Sequence, residues 1–256
     1  MTFSQLIASP WLVAALFFFI AYAYSGVGLG GGSAYTALMA ILGFNSLTIP
    51  MISLLLNLIV TSAGSFHFIR NRHVRLGLLL PFLMSSIPMA YLGGTIQLPM
   101  EVFYWALLLS LIFVAVRLLI WKNTSLRLDL GVGQRLAVSL ISGAVLGLVA
   151  GIVGIGGGIY LVPLIIILGL GTTKEAAACG AIFVWLNSLS GLLARLQYNA
   201  IELYEYLPLI FAVFIGGALG SFMGAGRYSA PTMERLLGVL VIVAIVLLFR
   251  KVLPGL

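Results

Sequence analysis

The chain has 256 residues, of which 62% are hydrophobic and only 7% are charged, and its mean hydropathy is +1.21. So little polar surface excludes a water-soluble domain of this length, and the natural unit of description is an apolar run able to cross a hydrocarbon core of about 30 Å. The net charge of +7 would point to nucleic acid in a soluble protein, but here Lys and Arg gather at the ends of apolar runs, where they report membrane orientation and give no reason to expect a nucleic-acid partner.

In chain order, apolar segments are predicted near 8–25, 34–43, 48–69, 75–97, 101–121, 134–153, 159–170, 175–197, 204–224 and 231–250. The stretch from Met1 to Trp11 has no Lys or Arg ahead of its apolar run, so it is expected to open the first membrane helix and not to be a cleavable signal peptide. Segments 34–43 and 159–170 are too short to span the core alone. The longest polar stretch, Lys122 to Arg135, leaves no room for a folded domain outside the membrane, so an ATP-driven pump would need another chain. Cys179 is the single cysteine, which excludes an intramolecular disulfide and a two-cysteine metal site.

The chain repeats itself. Gly28-Leu29-Gly30-Gly31-Gly32 recurs as Gly154-Ile155-Gly156-Gly157-Gly158, Leu56-Asn57 as Leu186-Asn187, and Pro81 as Pro208, with copies 126, 130 and 127 residues apart. Two homologous halves of five segments each follow, at 2–121 and 134–253, joined by a loop at 122–133. The loop charges bear on their relative orientation. The loop after the third segment holds Arg70, Arg72 and Arg75 and the next holds Glu101; in the second half the loop after the third segment holds Arg195, Glu202 and Glu205 and the next holds Arg227 and Arg235. That antisymmetry favours inverted repeats with both termini outside. Treating each short segment as a re-entrant turn instead gives parallel repeats with an equally biased total.

Gly26, Gly28 and Gly31 match the glycine pattern of a dinucleotide-binding loop. That fingerprint needs a preceding β-strand and an acidic residue about 20 positions on. Here a membrane helix precedes it and no Asp or Glu occurs before Glu101, so the match is a coincidence of glycine density. Close helix packing accounts for Gly143, Gly147 and Gly151, spaced four apart on one face. It accounts poorly for three consecutive glycines, which weaken a helix by about 1 kcal/mol each relative to alanine. Such a run marks a broken helix, which membrane proteins tolerate where the freed backbone is buried in protein or lines a cavity, and which in transporters marks the substrate site.

The short segment after each run would begin with free N–H groups and the positive end of a helix dipole, an arrangement that attracts an anion. All six acidic residues fall at segment ends or in loops, so no mid-membrane carboxylate is available for a cation. Asn57 and Asn187 lie near mid-membrane, where an unpaired amide is unfavourable; each is either an inter-helix hydrogen bond or a ligand. The candidate substrate-binding set is Gly28, Gly30, Gly31, Gly32, Ser33 and Asn57 from the first half, with Gly154, Gly156, Gly157, Gly158, Asn187 and Ser188 from the second. Arg195, late in its helix, is expected to snorkel to the interface.

These residues resemble the sulfite exporter TauE/SafE family, also called the 4-toluene sulfonate uptake permease family. The resemblance rests on the duplicated glycine motif, on GIGGGIYLVPLI from Gly154 to Ile165, and on the tandem halves, and it spans essentially the whole chain. One departure is Ala37 where the second copy has Pro163, so the segment after Gly32 is expected to start differently. The resemblance implies transport of sulfur-containing anions such as sulfite, sulfonates or sulfoacetate without a nucleotide-hydrolysing subunit.

The expected protein is therefore an all-α, multi-pass integral protein of the cell membrane with Gly-interrupted short helices. It would be a secondary transporter for a small anion by alternating access between the halves, with the lipid bilayer as surroundings and a proton or sodium ion as candidate coupling ion. No cofactor, metal or catalytic residue is expected, and a homodimer is compatible with this reading. A passive anion channel is the nearest alternative. A membrane-embedded enzyme is a more distant one, since two histidines in one loop and one cysteine offer no convincing catalytic constellation.

Overall fold

Residues 10–26, 29–70, 73–119, 131–224, 241–242 and 244–250 are described by a computed structural model. In hydrocarbon no water is available to the backbone, so each segment must satisfy its own N–H and C=O groups, and the helix is the open-chain solution. The order is α1 (Pro10–Ser25), α2 (Gly32–Leu42), α3 (Thr48–Arg70), α4 (Leu76–Thr95), α5 (Met100–Leu119), α6 (Val132–Val153), α7 (Gly158–Ile167), α8 (Thr173–Leu196), a 3-10 turn (Leu203–Tyr206) and α9 (Leu207–Gly224). Residues 241–242 and 244–250 are also helical, and no strand occurs among the described residues. Five stretches among them are long and apolar enough to cross a membrane: α3, α4, α6, Lys174–Leu196 and Leu203–Phe222. The segments expected to be short are so, with α2 at 11 residues and α7 at 10.

Glycine sets the closest contacts. A β-carbon added at Gly143, Gly147 or Gly151 of α6 would lie 2.5, 2.3 or 2.2 Å from the carbonyl oxygens of Phe82, Ser86 and Ala90 on α4. Steps of four taken in the same order on both helices mean that they pack in parallel, backbone against backbone. The same device joins α9 to α1, where Gly216 and Gly220 approach the carbonyls of Phe18 and Tyr22. Thus α4 lies on α6 and α9 lies on α1. Between them α3 and α8 cross in opposite directions: Leu54 faces Gly191, and Ser62, two turns further along α3, accepts a bond of 2.9 Å from Trp185 Nε1, earlier in α8.

These directions assign the charged ends to two faces. The face where α4 begins carries Arg70, Arg75, Arg135 and Lys174, with Arg75 reaching to 3.9 Å from Glu175 at the start of α8. The opposite face carries Glu101, Glu202 and Glu205. On the exterior Trp11, Phe19, Met84, Leu109, Ile141 and Phe222 are exposed, while Phe17, Tyr24, Tyr35, Phe82, Phe103 and Phe183 are buried. A wide apolar exterior around an aromatic core is the arrangement suited to lipid as solvent.

Candidate functional site

Each glycine run lies between two helices and starts the second of them; α1 ends at Ser25, before the first run, whereas the second run begins at the C-cap of α6. Gly31 (φ 92°) is the N-cap of α2 and Gly157 (φ 80°) the N-cap of α7, both in the left-handed region that only glycine enters without strain. Gly154 (φ 80°) closes α6, its N–H bonding Ala150 O. The Ala37/Pro163 difference was expected to change how the first short helix begins. It does not, because that position is the sixth residue of each helix, beyond the first turn where the chain direction is set.

The second requirement for glycine is the approach of Asn57. A β-carbon at Gly30 would meet its Oδ1 at 2.5 Å, and one at Gly32 would meet its Nδ2 at 2.4 Å and the Ile155 carbonyl at 2.5 Å. One at Gly156 would lie 2.9 Å from Ser188 Oγ and 3.0 Å from Asn57 Nδ2. Val184 of α8 meets both runs, since its methyl groups lie within 3.0 Å of the positions that β-carbons at Gly30, Gly156 and Gly158 would take. The two broken corners therefore meet at one place, between α3 and α8.

Hydrogen bonds tie the corners together there. Asn57, fully buried, donates through Nδ2 to Ile155 O at 3.2 Å. One turn earlier Ser53 Oγ lies 2.7 Å from Gly154 O and 3.2 Å from Gly32 O, so α3 grips both runs. Thr36 donates to Gly32 O at 2.7 Å, and Ser33 Oγ pairs with Tyr24 Oη at 3.0 Å. Several buried oxygens have no partner among the described residues: Asn57 Oδ1, Asn187 Oδ1, Ser188 Oγ and Tyr35 Oη. Unpaired polar atoms at this depth are costly, and three of the four lie at the corners: Asn57 Oδ1 by Gly30, Ser188 Oγ by Gly156 and Tyr35 Oη by Gly31.

Most of the predicted set meets here: Gly30, Gly32, Asn57, Gly156, Gly158 and Ser188 line the meeting point, and Gly31, Gly154 and Gly157 shape the corners. Ser33 turns instead toward Tyr24. Gly28 lies outside the described residues. Asn187 is not the equivalent of Asn57, because its Nδ2 bonds Phe183 O of its own helix at 2.8 Å. Arg195, expected to snorkel outward, is 2% exposed and donates to Gly151 O and Ile152 O. The residues missed from the sequence are Ser53 and Val184. Ser53 could have been found, since it begins a four-step polar stripe with Asn57 and Thr61 in an apolar helix. Val184 carries no signal at all. On the acidic face, a cavity of about 310 Å³ sits over the start of α3, lined by Thr48, Ile52, Ile201, Glu202, Glu205 and Tyr206.

Apolar spanning helices around two broken corners, with buried polar groups between them, define a multi-pass integral membrane protein of the transporter class. The sequence pattern of the sulfite exporter TauE/SafE family matches residues 13–248, and the chain belongs to that family. It is also 35% identical over 236 residues to the probable membrane transporter protein y4hK of Sinorhizobium fredii (strain NBRC 101917 / NGR234), a match covering 91% of this chain and 95% of that one. No solved structure gives a significant match.

Proposed function

We propose that the chain is a secondary transporter of the cell membrane for a small sulfur-containing anion such as sulfite, a sulfonate or sulfoacetate. The observation that carries this reading is the meeting of the α2 and α7 N-termini beside Asn57, Val184 and Ser188. The first N–H groups of each helix have no partner within that helix, and each helix brings the positive end of its dipole to the corners where Val184 meets Gly30, Gly156 and Gly158. The Ser188 hydroxyl is a further donor. The family's description as a sulfite exporter supports the substrate class, and the transporter designation of y4hK supports transport.

The mechanism we infer is alternating access, with the halves at 2–121 and 134–253 acting as inverted repeats. The opposed directions of α3 and α8 support that arrangement, as does the exchange by which α4 packs on α6 and α9 on α1. Rocking one half against the other would break the bonds from Asn57 to Ile155 O and from Ser53 to Gly154 O, and expose the site to one face at a time. A proton or sodium ion would drive the cycle, and no catalytic step is required. Sulfite counterflow in proteoliposomes tests the reading. Saturable exchange by the wild type, lost in Gly156→Ala, is the expected result; counterflow unchanged by that substitution would sink the site.

A further inference from the structure

We propose that Arg195 supplies the positive charge that balances the transported anion; this deepens the reading of the site given above and rests on it. Among the described residues Arg195 is the one buried charged side chain. Val184, Ser188, Gly191 and Arg195 follow at steps of four, three and four, so Arg195 shares the face of α8 that meets the glycine runs. It lies seven residues beyond Ser188, about 10 Å along the helix, and helical side chains lean back toward their own N-terminus, which directs the guanidinium inward. Nη2 donates to Gly151 O at 2.9 Å and Ile152 O at 2.8 Å, in the last turn of α6 and less than a turn before the corner at Gly154.

A buried guanidinium requires compensation. The carbonyl end of α6 provides the equivalent of about half a negative charge. No carboxylate completes the balance: among the described residues the ion pair is between Arg75 and Glu175, on the opposite face. The Nε–H of Arg195 is buried and has no acceptor among the described residues. The excess positive charge and the open donor sit one to two turns from the meeting point of the two helix N-termini. The ligand that fits is a compact oxyanion, which supplies the missing charge and acceptor atoms together. A helix cap alone would explain the two carbonyl bonds but leaves the remaining charge unbalanced.

The test is calorimetric titration of the purified full-length protein with sodium sulfite, paired with thermal unfolding of the same samples without sulfite. Arg195→Gln retains a donor for the α6 carbonyls and removes the charge. It should weaken sulfite binding roughly tenfold, the order expected for one unit charge ~10 Å away at an effective dielectric of ~20, with little change in unfolding temperature. Arg195→Lys should bind within about threefold of wild type, as the charge is retained. Sulfite affinity unchanged in Arg195→Gln, with a lowered unfolding temperature, would make the residue a cap only and overturn the proposal. Should Arg195→Gln fail to fold, Arg195→Lys decides: affinity within threefold supports the proposal, and a loss beyond tenfold in a folded variant overturns it. Binding lost in Asn57→Ala but retained in Arg195→Gln would overturn this inference and leave the site intact. A wild type that does not bind sulfite would overturn both.

Discussion

Gly32→Ala isolates the contact between the two glycine runs, because Gly32 opens α2 outside the left-handed region and an added methyl group meets no backbone strain of its own. Its β-carbon would be 2.4 Å from Asn57 Nδ2 and 2.5 Å from the Ile155 carbonyl oxygen. An ordinary contact needs about 3.5 Å, so α2 and the second corner must part by about 1 Å. The 3.2 Å bond between Asn57 and Ile155 O does not survive that shift. Two buried polar groups lose their partner, at about 1–3 kcal/mol each, and the methyl group fills space beside the proposed anion. The unfolding temperature should fall by about 5–20 °C, and sulfite counterflow should drop at least tenfold. Gly64→Ala in α3 is the control, since its β-carbon meets nothing within 4 Å; its stability should be unchanged or raised by up to about 1 kcal/mol. A Gly32→Ala protein with wild-type stability and counterflow would refute the account of how the corners meet.

Four further outcomes follow from the same geometry. Asn57→Ala should lower the unfolding temperature more than Asn187→Ala, because the first removes a bond to the second glycine run and the second only a bond within α8; equal shifts would count against the asymmetry. Gly147→Val places a β-carbon 2.3 Å from Ser86 O, so α4 and α6 must separate and thermal unfolding should register a loss of at least about 2 kcal/mol. Thr172→Ala removes the side chain that accepts from the Glu175 N–H at the start of α8 and should cost about 1 kcal/mol, read by the same method with counterflow retained. Glu202→Gln takes one carboxylate from the cavity on the acidic face. If that cavity is the anion's approach, sulfite uptake from that side should rise at low salt and the gain should vanish at high salt, where charges are screened within about 10 Å.

Much of the architecture was legible before any coordinates, for physical reasons that can be named. Membrane helices announce themselves by length and apolarity, since hydrocarbon thickness fixes how many residues a crossing needs. The two corners were legible because three glycines in a row conflict with a continuous helix, and because the conflict occurs twice. Their equivalence held at Gly31 and Gly157 despite the proline in only one copy. The role of Gly143, Gly147 and Gly151 was also readable, since small residues four apart leave a groove that another helix can enter.

Partner choice was not legible. Asn57 and Asn187 follow the same Leu-Asn pattern in the sequence, and only the packing of α3 across the second corner gives Asn57 a carbonyl to bond while Asn187 turns to its own helix. Arg195 looks like an interfacial residue from its place near a helix end; its burial comes from α6, whose last turn ends beside it and offers two carbonyl oxygens. Val184 is one apolar residue among many until both glycine runs are brought against it. Composition and spacing determine which backbone segments exist and where they break, because those depend on neighbours along the chain. Which side chain meets which corner depends on residues far apart in the chain, 98 positions from Asn57 to Ile155 and 44 from Arg195 to Gly151, and that only the tertiary structure decided.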